Sequence, residues 1–175
     1  MKFYIITLLL TFLSINTKFI EIDNKIITDY KNKIKLLQDE NVELKKFIKD
    51  IYYTSYIVKV TGYHPIKKET DSTPNITADG TVINDINNAS TYHYIAISRD
   101  FLKSGIFKYG DYVYIKGTIN NIDGIYQIRD TMSERFKNHA DILLSPHEKA
   151  ITSEKVLLYK LTTEQKNILN KILVN

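Results

Sequence analysis

The sequence predicts a mainly β protein: a small closed barrel of six strands between a long N-terminal amphipathic helix and a short C-terminal helix. Three observations carry this. Between residues 53 and 161 the chain shows six short runs of period-two alternation, rich in β-branched and aromatic residues. Residues 21–52 contain no Gly or Pro and space their apolar residues at helical intervals. The last segment, "TTEQKNILNKILVN", offers a Thr cap and then sets Ile168, Leu169, Ile172 and Leu173 on one face.

The elements follow in chain order. Residues 1–20 place Lys2 before a charge-free run from Phe3 to Leu13. That run has the length of a signal-peptide h-region and falls short of the roughly 20 apolar residues of a membrane span. Ser14-Ile15-Asn16 is a poor cleavage site, so the segment reads as a signal peptide or a retained membrane anchor, with a buried helix as the remaining reading. Either of the first two implies export to the periplasm or cell envelope. In 21–52 a stripe runs through Ile22, Ile26, Ile27, Tyr30, Ile34, Leu37, Leu44, Ile48 and Ile51, with one polar break at Asn41. This is a coiled-coil-like stalk, able to pair with a copy of itself or to pack on the domain that follows.

From Tyr53 the period changes. The predicted strands are Tyr56–Thr61, Tyr94–Ser98, Tyr112–Lys116, Ile125–Arg129, Ala140–Leu144 and Lys155–Lys160. Loops marked by Gly, Asn, Asp and Pro separate them: "PNITADGTVINDINNAS", "KYGD" and "NNIDG". Asp100–Ser104 reads as a single helical turn. Six short strands of this kind fit a small closed or nearly closed barrel over 53–161, with the closing helix at 162–175.

Composition excludes several classes. The net charge is +4, but residues 56–161 hold 13 Lys and Arg against 12 Asp and Glu, so the barrel lacks the concentrated positive charge of a nucleic-acid binder. There is no cysteine, hence no disulfide, thiolate metal site or thiol nucleophile. His64, His93, His139 and His147 stand at no metal-ligand spacing, and no P-loop, dinucleotide fingerprint or Gly-x-Ser-x-Gly occurs. No metal or cofactor is called for.

The chemistry concentrates in "GIYQIRDTMSERFKNHADILL". If Ile142 and Leu144 face the barrel interior, Asp141 and Leu143 face a surface or cleft. A carboxyl partly desolvated there has its charged form disfavoured, and an ionised Asp130 nearby pushes the same way. Such an acid can protonate a glycosidic oxygen. The plainer reading is that Asp141 caps a turn or pairs with Arg129 or Arg135, and that Asp130 is a strand-end turn residue. The two can meet only if their strands lie side by side. In "PNITADGT", Thr77, Asp79 and Gly80 make either an ordinary Asp-Gly turn or a sugar-binding edge. Tyr63, Tyr92, Tyr94, Tyr109, Tyr112, Tyr114 and Tyr126 are barrel packing or platforms for sugar faces.

The order "VTGYHP", "TADGT", "YIAIS", "GDYVYI", "IYQIRDTM", "HADILL" resembles the three-aspartate (3D) domain, found in bacterial stationary-phase cell-wall proteins and in membrane-bound lytic transglycosylase A. The resemblance covers roughly Ile57 to Leu161. It implies a six-stranded double-psi β-barrel, related in shape to expansin domains. Carried over by position, it makes Asp141 the catalytic acid/base, Asp130 the second aspartate, and Thr77, beside Asp79 and Gly80, the substrate-loop threonine. Ser98 stands where the family has its first aspartate, with Asp100 two residues on. The family's Gly-Gly after the second aspartate is absent from "RDTMSERF".

What the resemblance implies is a lytic transglycosylase. Such an enzyme cleaves the β-1,4 bond between N-acetylmuramic acid and N-acetylglucosamine and leaves 1,6-anhydromuramoyl ends, with Asp141 as the single acid/base. Asp130 would hold Asp141 and raise its pKa. Tyr63, Thr77, Asp79, Gly80 and Arg129 would bind or orient sugar. The partner implied is a peptidoglycan strand, and no cofactor is implied. Three rival readings stand beside it: a non-catalytic, expansin-like wall-binding barrel, a two-carboxylate hydrolase, and a structural stalk-and-tip protein.

Overall fold

A computed structural model describes residues 2–119 and 122–173, with the side chains of residues 10–51, 54–119 and 122–171. The chain divides into two compact units, Met1–Asp50 and Ile51–Asn175.

The first unit is helical. Helix α1 runs from Lys2 to Thr54 without interruption. No Gly or Pro occurs before Gly62, so nothing in the backbone interrupts the helix between the apolar run of residues 1–20 and the stripe of residues 21–52. At 53 residues α1 outnumbers the six strands combined, so "mainly β" describes the barrel and not the chain. Among the described residues no helix is long and apolar enough to cross a membrane. The side chains of Phe3–Leu9, the core of the expected signal or anchor, lie outside the described residues.

The second unit is a closed six-stranded barrel. Its strands are β1 (Tyr56–Tyr63), β2 (Tyr94–Ile97), β3 (Tyr112–Lys116), β4 (Gly124–Thr131), β5 (His139–Leu143) and β6 (Thr152–Leu161). Around the barrel they follow the order β1-β5-β2-β4-β3-β6. β1 pairs with β5, and β2 with β4, in parallel; the other four pairings are antiparallel. Each predicted strand is present: β3 has its predicted ends, β5 is shifted by one residue, β2 is one residue shorter, and β1, β4 and β6 are longer. The expected turn at Asp100–Ser104 is helix α2 (Arg99–Lys103). The long loop after β1 carries an unanticipated 3-10 helix, Ile86–Tyr92, and an isolated bridge between Ile76 and Val82.

Period-two alternation fills the interior. Val58, Val60, Ile95, Ile97, Val113, Ile115, Ile128, Ile142, Val156 and Leu158 are buried there, one or two from each strand. Gly62 sits where Leu144 and Ile151 crowd the backbone, leaving no space for a Cβ. Two bulges break the ladders. One lies in β6, where Lys155 takes a left-handed conformation at φ 56 and Val58 and Val60 pair with Val156 and Ser153. The other lies in β4, between the Ile95–Ile128 and Ala96–Asp130 pairings.

Helix α3 (Thr163–Leu173) closes the unit. Its cap is reciprocal: the Gln165 N–H donates to Thr162 Oγ1, and the Thr162 N–H donates to Gln165 Oε1. Leu169 is buried; the side chains of Ile172 and Leu173 lie outside the described residues.

Candidate functional site

The outer faces of β1, β5, β2 and β4 form the floor of a cleft of about 610 Å³. Register places one residue of each strand in a single row. Thr61 pairs with Asp141, Asp141 with Ala96, and Ala96 with Asp130. Paired residues point to the same side of a sheet, so all four lie on the outer face, where Ala96, Asp130 and Asp141 line the cleft. The condition for the two aspartates to meet directly, that their strands lie side by side, is not fulfilled. β2 runs between them, and Ala96 is the residue that separates the carboxylates. Its small side chain leaves the space between them open, and two strand spacings put their backbones about 10 Å apart.

Alternation places Ile142 inside and Asp141 outside, as the sequence suggested. Asp130 is different. It lies an even number of residues from Tyr126 and Ile128, both interior, and regular alternation would bury it inside the barrel. The β4 bulge sets Arg129 and Asp130 against one step of β2 and turns Asp130 onto the cleft face.

The two carboxyls meet different surroundings. Asp141 Oδ1 accepts a hydrogen bond from Thr61 Oγ1 at 2.7 Å. Among the described residues no other protein donor reaches Asp141. Burial pushes its pKa up to about 6, the Thr61 bond pulls it down, and the charges of Glu69 and Asp130 raise it again. Asp130 is held by three donors: Tyr63 Oη at 2.9 Å on Oδ2, and the Ala78 and Thr131 N–H groups at 3.1 and 2.8 Å on Oδ1. Burial raises its pKa too, and those three bonds oppose the rise. Burial, with the charge of Asp130 next, keeps the Tyr63 phenol well above its ordinary range, so it remains a donor.

Behind Asp141 lies a second link. Thr61 Oγ1 is 3.0 Å from His139 Nε2. A threonine hydroxyl has one proton, and here it goes to Asp141, so His139 donates through Nε2. Burial, and Lys59 after it, lowers the His139 pKa and keeps the ring neutral. At the rim, Glu69 accepts from the His64 backbone N–H at 2.9 Å and contacts Nδ1 at 3.0 Å. His64 Nε2 reaches the Glu148 carbonyl at 2.9 Å. Burial opposes the charged ring, but the bonds to Glu148 and Glu69 outweigh it and raise the His64 pKa.

The other expected site residues divide. Tyr63 and Thr77 line the cleft; Asp79, Gly80 and Arg129 do not. Asp79 pairs with Arg129 Nη1 at 3.0 Å and accepts from Thr77 Oγ1 and the Thr81 N–H, while its own N–H donates to the Arg129 carbonyl. Gly80 takes the positive φ of the turn, 87°. These three staple the Thr77 loop to β4 and so carry Ala78 to Asp130. Ser98, at the family's first-aspartate position, is fully buried, and its Oγ accepts from the His139 N–H. Asp100 accepts from the Asn138 N–H and lies outside the cleft lining, so it does not replace a cleft carboxylate. Of the seven tyrosines singled out, only Tyr63 lines the cleft. Tyr92 and Tyr94 stack on each other, and Tyr126 donates to the Ile122 carbonyl inside the barrel.

Sequence reasoning missed Thr61, Ala96, Glu69 and Arg99, all but Thr61 part of the cleft lining, and named Arg135, also in the lining, only as an ion-pair partner for Asp141. Thr61 had a signal, as a polar β-branched residue ending the first strand. The others became visible only through register and loop folding. No group of three or more His, Asp or Glu is placed to hold a metal ion among the described residues.

No protein-family model matches the chain, and no curated protein matches it. The functional reading therefore stands on the geometry and on the motif order.

Proposed function

We propose that the barrel is a peptidoglycan lytic transglycosylase with Asp141 as its single acid/base. One observation carries the reading: of two half-buried carboxyls in one cleft, Asp141 has a single hydrogen-bond donor and a pKa pushed up to about 6, while Asp130 is held by three donors. A two-carboxylate glycosidase needs a second free carboxylate as base or nucleophile, and in the retaining case only about 5 Å from the first. Asp130, two strands away, is too far for the retaining case, and its three hydrogen bonds occupy the oxygens that an inverting base, about 6.5–9.5 Å from the acid, needs free.

In the proposed reaction protonated Asp141 gives its proton to the bridging oxygen as the muramoyl C1–O4 bond breaks. The bonding electron pair leaves with the N-acetylglucosamine O4. The Asp141 carboxylate then takes the proton of the muramoyl 6-hydroxyl as O6 attacks C1. The 1,6-anhydro ring closes, Asp141 is again protonated, and no water is consumed. Thr61, fed by His139, orients Asp141 and stabilises its ionised form between the two steps. Arg99 and Arg135 on the cleft wall would meet lactyl or peptide carboxylates.

The two parallel pairings, β1 with β5 and β2 with β4, in an otherwise antiparallel barrel support the double-psi form that the motif order suggests. A peptidoglycan substrate fits export directed by the apolar run Phe3–Leu13.

The test is a digest of purified peptidoglycan with wild-type chain and with Asp141→Asn, read by mass spectrometry. Anhydromuramoyl products from the wild type and none from the variant are expected. Reducing-end products would make the enzyme a hydrolase. Glycan binding without cleavage by either protein would leave a wall-binding module.

A further inference from the structure

Residues 27–48 of α1 carry a seam that the catalytic reading does not use. Ile20, Ile27, Ile34, Asn41 and Ile48 recur every seven residues, and Tyr30, Leu37 and Leu44 recur every seven residues three places later. In heptad terms the first set fills a and the second fills d. Asp23, at the preceding d position, ends the seam toward the N-terminus. The six apolar members from Ile27 to Ile48 are each between 37% and 64% exposed, an apolar stripe along about 33 Å of helix. Asn41 is also exposed, its Nδ2 donating to the Leu37 carbonyl of its own helix.

We infer that this segment forms a parallel, in-register, two-stranded coiled coil with a second copy of the chain. Ile at a with Leu at d favours two strands. A lone polar residue at a is costly against an apolar partner, and only an in-register parallel pair sets Asn41 against Asn41 of the second copy. Charge agrees. Glu40 at g then faces Lys45 at e of the second copy, once on each side of the seam. Antiparallel pairs that match a with d layers never set Asn41 on Asn41; with Asn41 on Leu37 they also set Glu40 on Glu40 and Lys31 on Lys45, and with Asn41 on Tyr30 they bury the amide against the tyrosine. Burying Asn41 without its own amide partner disfavours each of them, and like charges disfavour the first as well.

The chain has no cysteine, so a single introduced thiol reports only its own position. The experiment uses the full chain in density-matched detergent. Sedimentation is expected to return twice the 20.4 kDa of one chain. Asn41→Cys and Ile34→Cys should each close a symmetrical disulfide in a glutathione redox buffer. Leu37→Cys mixed with Asn41→Cys should give no preferred mixed pair. Glu40→Lys should weaken dimerisation at least tenfold, and adding Lys45→Glu should restore it. A monomer at tens of micromolar, a trimeric mass, a dominant 37–41 cross-link, or dimers that persist in Ile34→Glu would each overturn the inference.

Discussion

Asp141 and Asp130 occupy the same row of the barrel wall, on either side of Ala96, yet their strands treat them differently. β5 delivers Asp141 by plain alternation into a site with one donor. β4 delivers Asp130 through a bulge into a site with three. Both are half-buried, so burial alone does not set their roles. The number of hydrogen bonds to the ionised form sets the two apart: three oppose the rise in pKa at Asp130, and one opposes it at Asp141. Asp130 then has two tasks. It ties Tyr63 and the Ala78 loop to the cleft, and its charge helps keep Asp141 protonated.

The sharpest way to break the comparison is to neutralise each carboxyl in turn. Asp141→Asn should lower anhydromuramoyl release by about 10³-fold, the scale of a lost general acid. Asp130→Asn should leave measurable cleavage but lower stability by about 1–3 kcal/mol, because its amide cannot accept from all three donors. Equal losses of activity in the two variants would erase the distinction.

A second contrast lies in stability against pH. The folded pKa of Asp141, about 6, stands above its ordinary value of 3.8, so the native state holds a proton that the unfolded chain releases. That contribution is complete below pH 4 and is lost as pH rises through 6, amounting to about 3 kcal/mol. Asp141→Asn removes the buried charge, so it should be more stable than wild type at pH 8, by up to about that amount. The difference should shrink toward pH 4. Urea unfolding at pH 4, 6 and 8 measures it. Tyr63→Phe removes one bond from Asp130 and should cost about 1 kcal/mol in the same assay, with little pH dependence between 6 and 8.

The smallest effects sharpen the comparison most finely. Thr61→Val deletes the donor that favours ionised Asp141, so the basic limb of the kcat/KM profile should move to higher pH. Glu69→Gln removes a charge that disfavours ionisation, so the same limb should move lower. Opposite displacements by two substitutions on opposite sides of one carboxyl would assign the limb to Asp141. Displacements in the same direction would assign it elsewhere.

Much of the fold was legible because its causes are local. Strand β3 matches its "YVYIK" run, and the Thr162–Gln165 box starts α3 where the sequence places its cap. Asp141 was legible for the same reason, since its neighbours Ile142 and Leu144 declare the interior. Asp79, Gly80 and Arg129 were identified as site residues because loop polarity looks alike whether it meets a ligand or an ion pair across the chain. The structure shows the ion pair. The boundary read near residue 20 is a change of hydropathy; helix propensity does not change there, and α1 runs through it.

The sequence by itself determined the six strands, the long helix with its heptad seam, and the outward side of Asp141. These follow from periodicities of 2, 3.6 and 7 and need no distant partner. Only the tertiary structure decided that β2 runs between the two aspartate strands and that a bulge turns Asp130 into the cleft. It also decided that Thr61 stands behind Asp141. Each of these depends on which strands pair and in what register. That choice is settled by burying the whole barrel interior at once, and one residue of slip there reverses the face of every side chain after it.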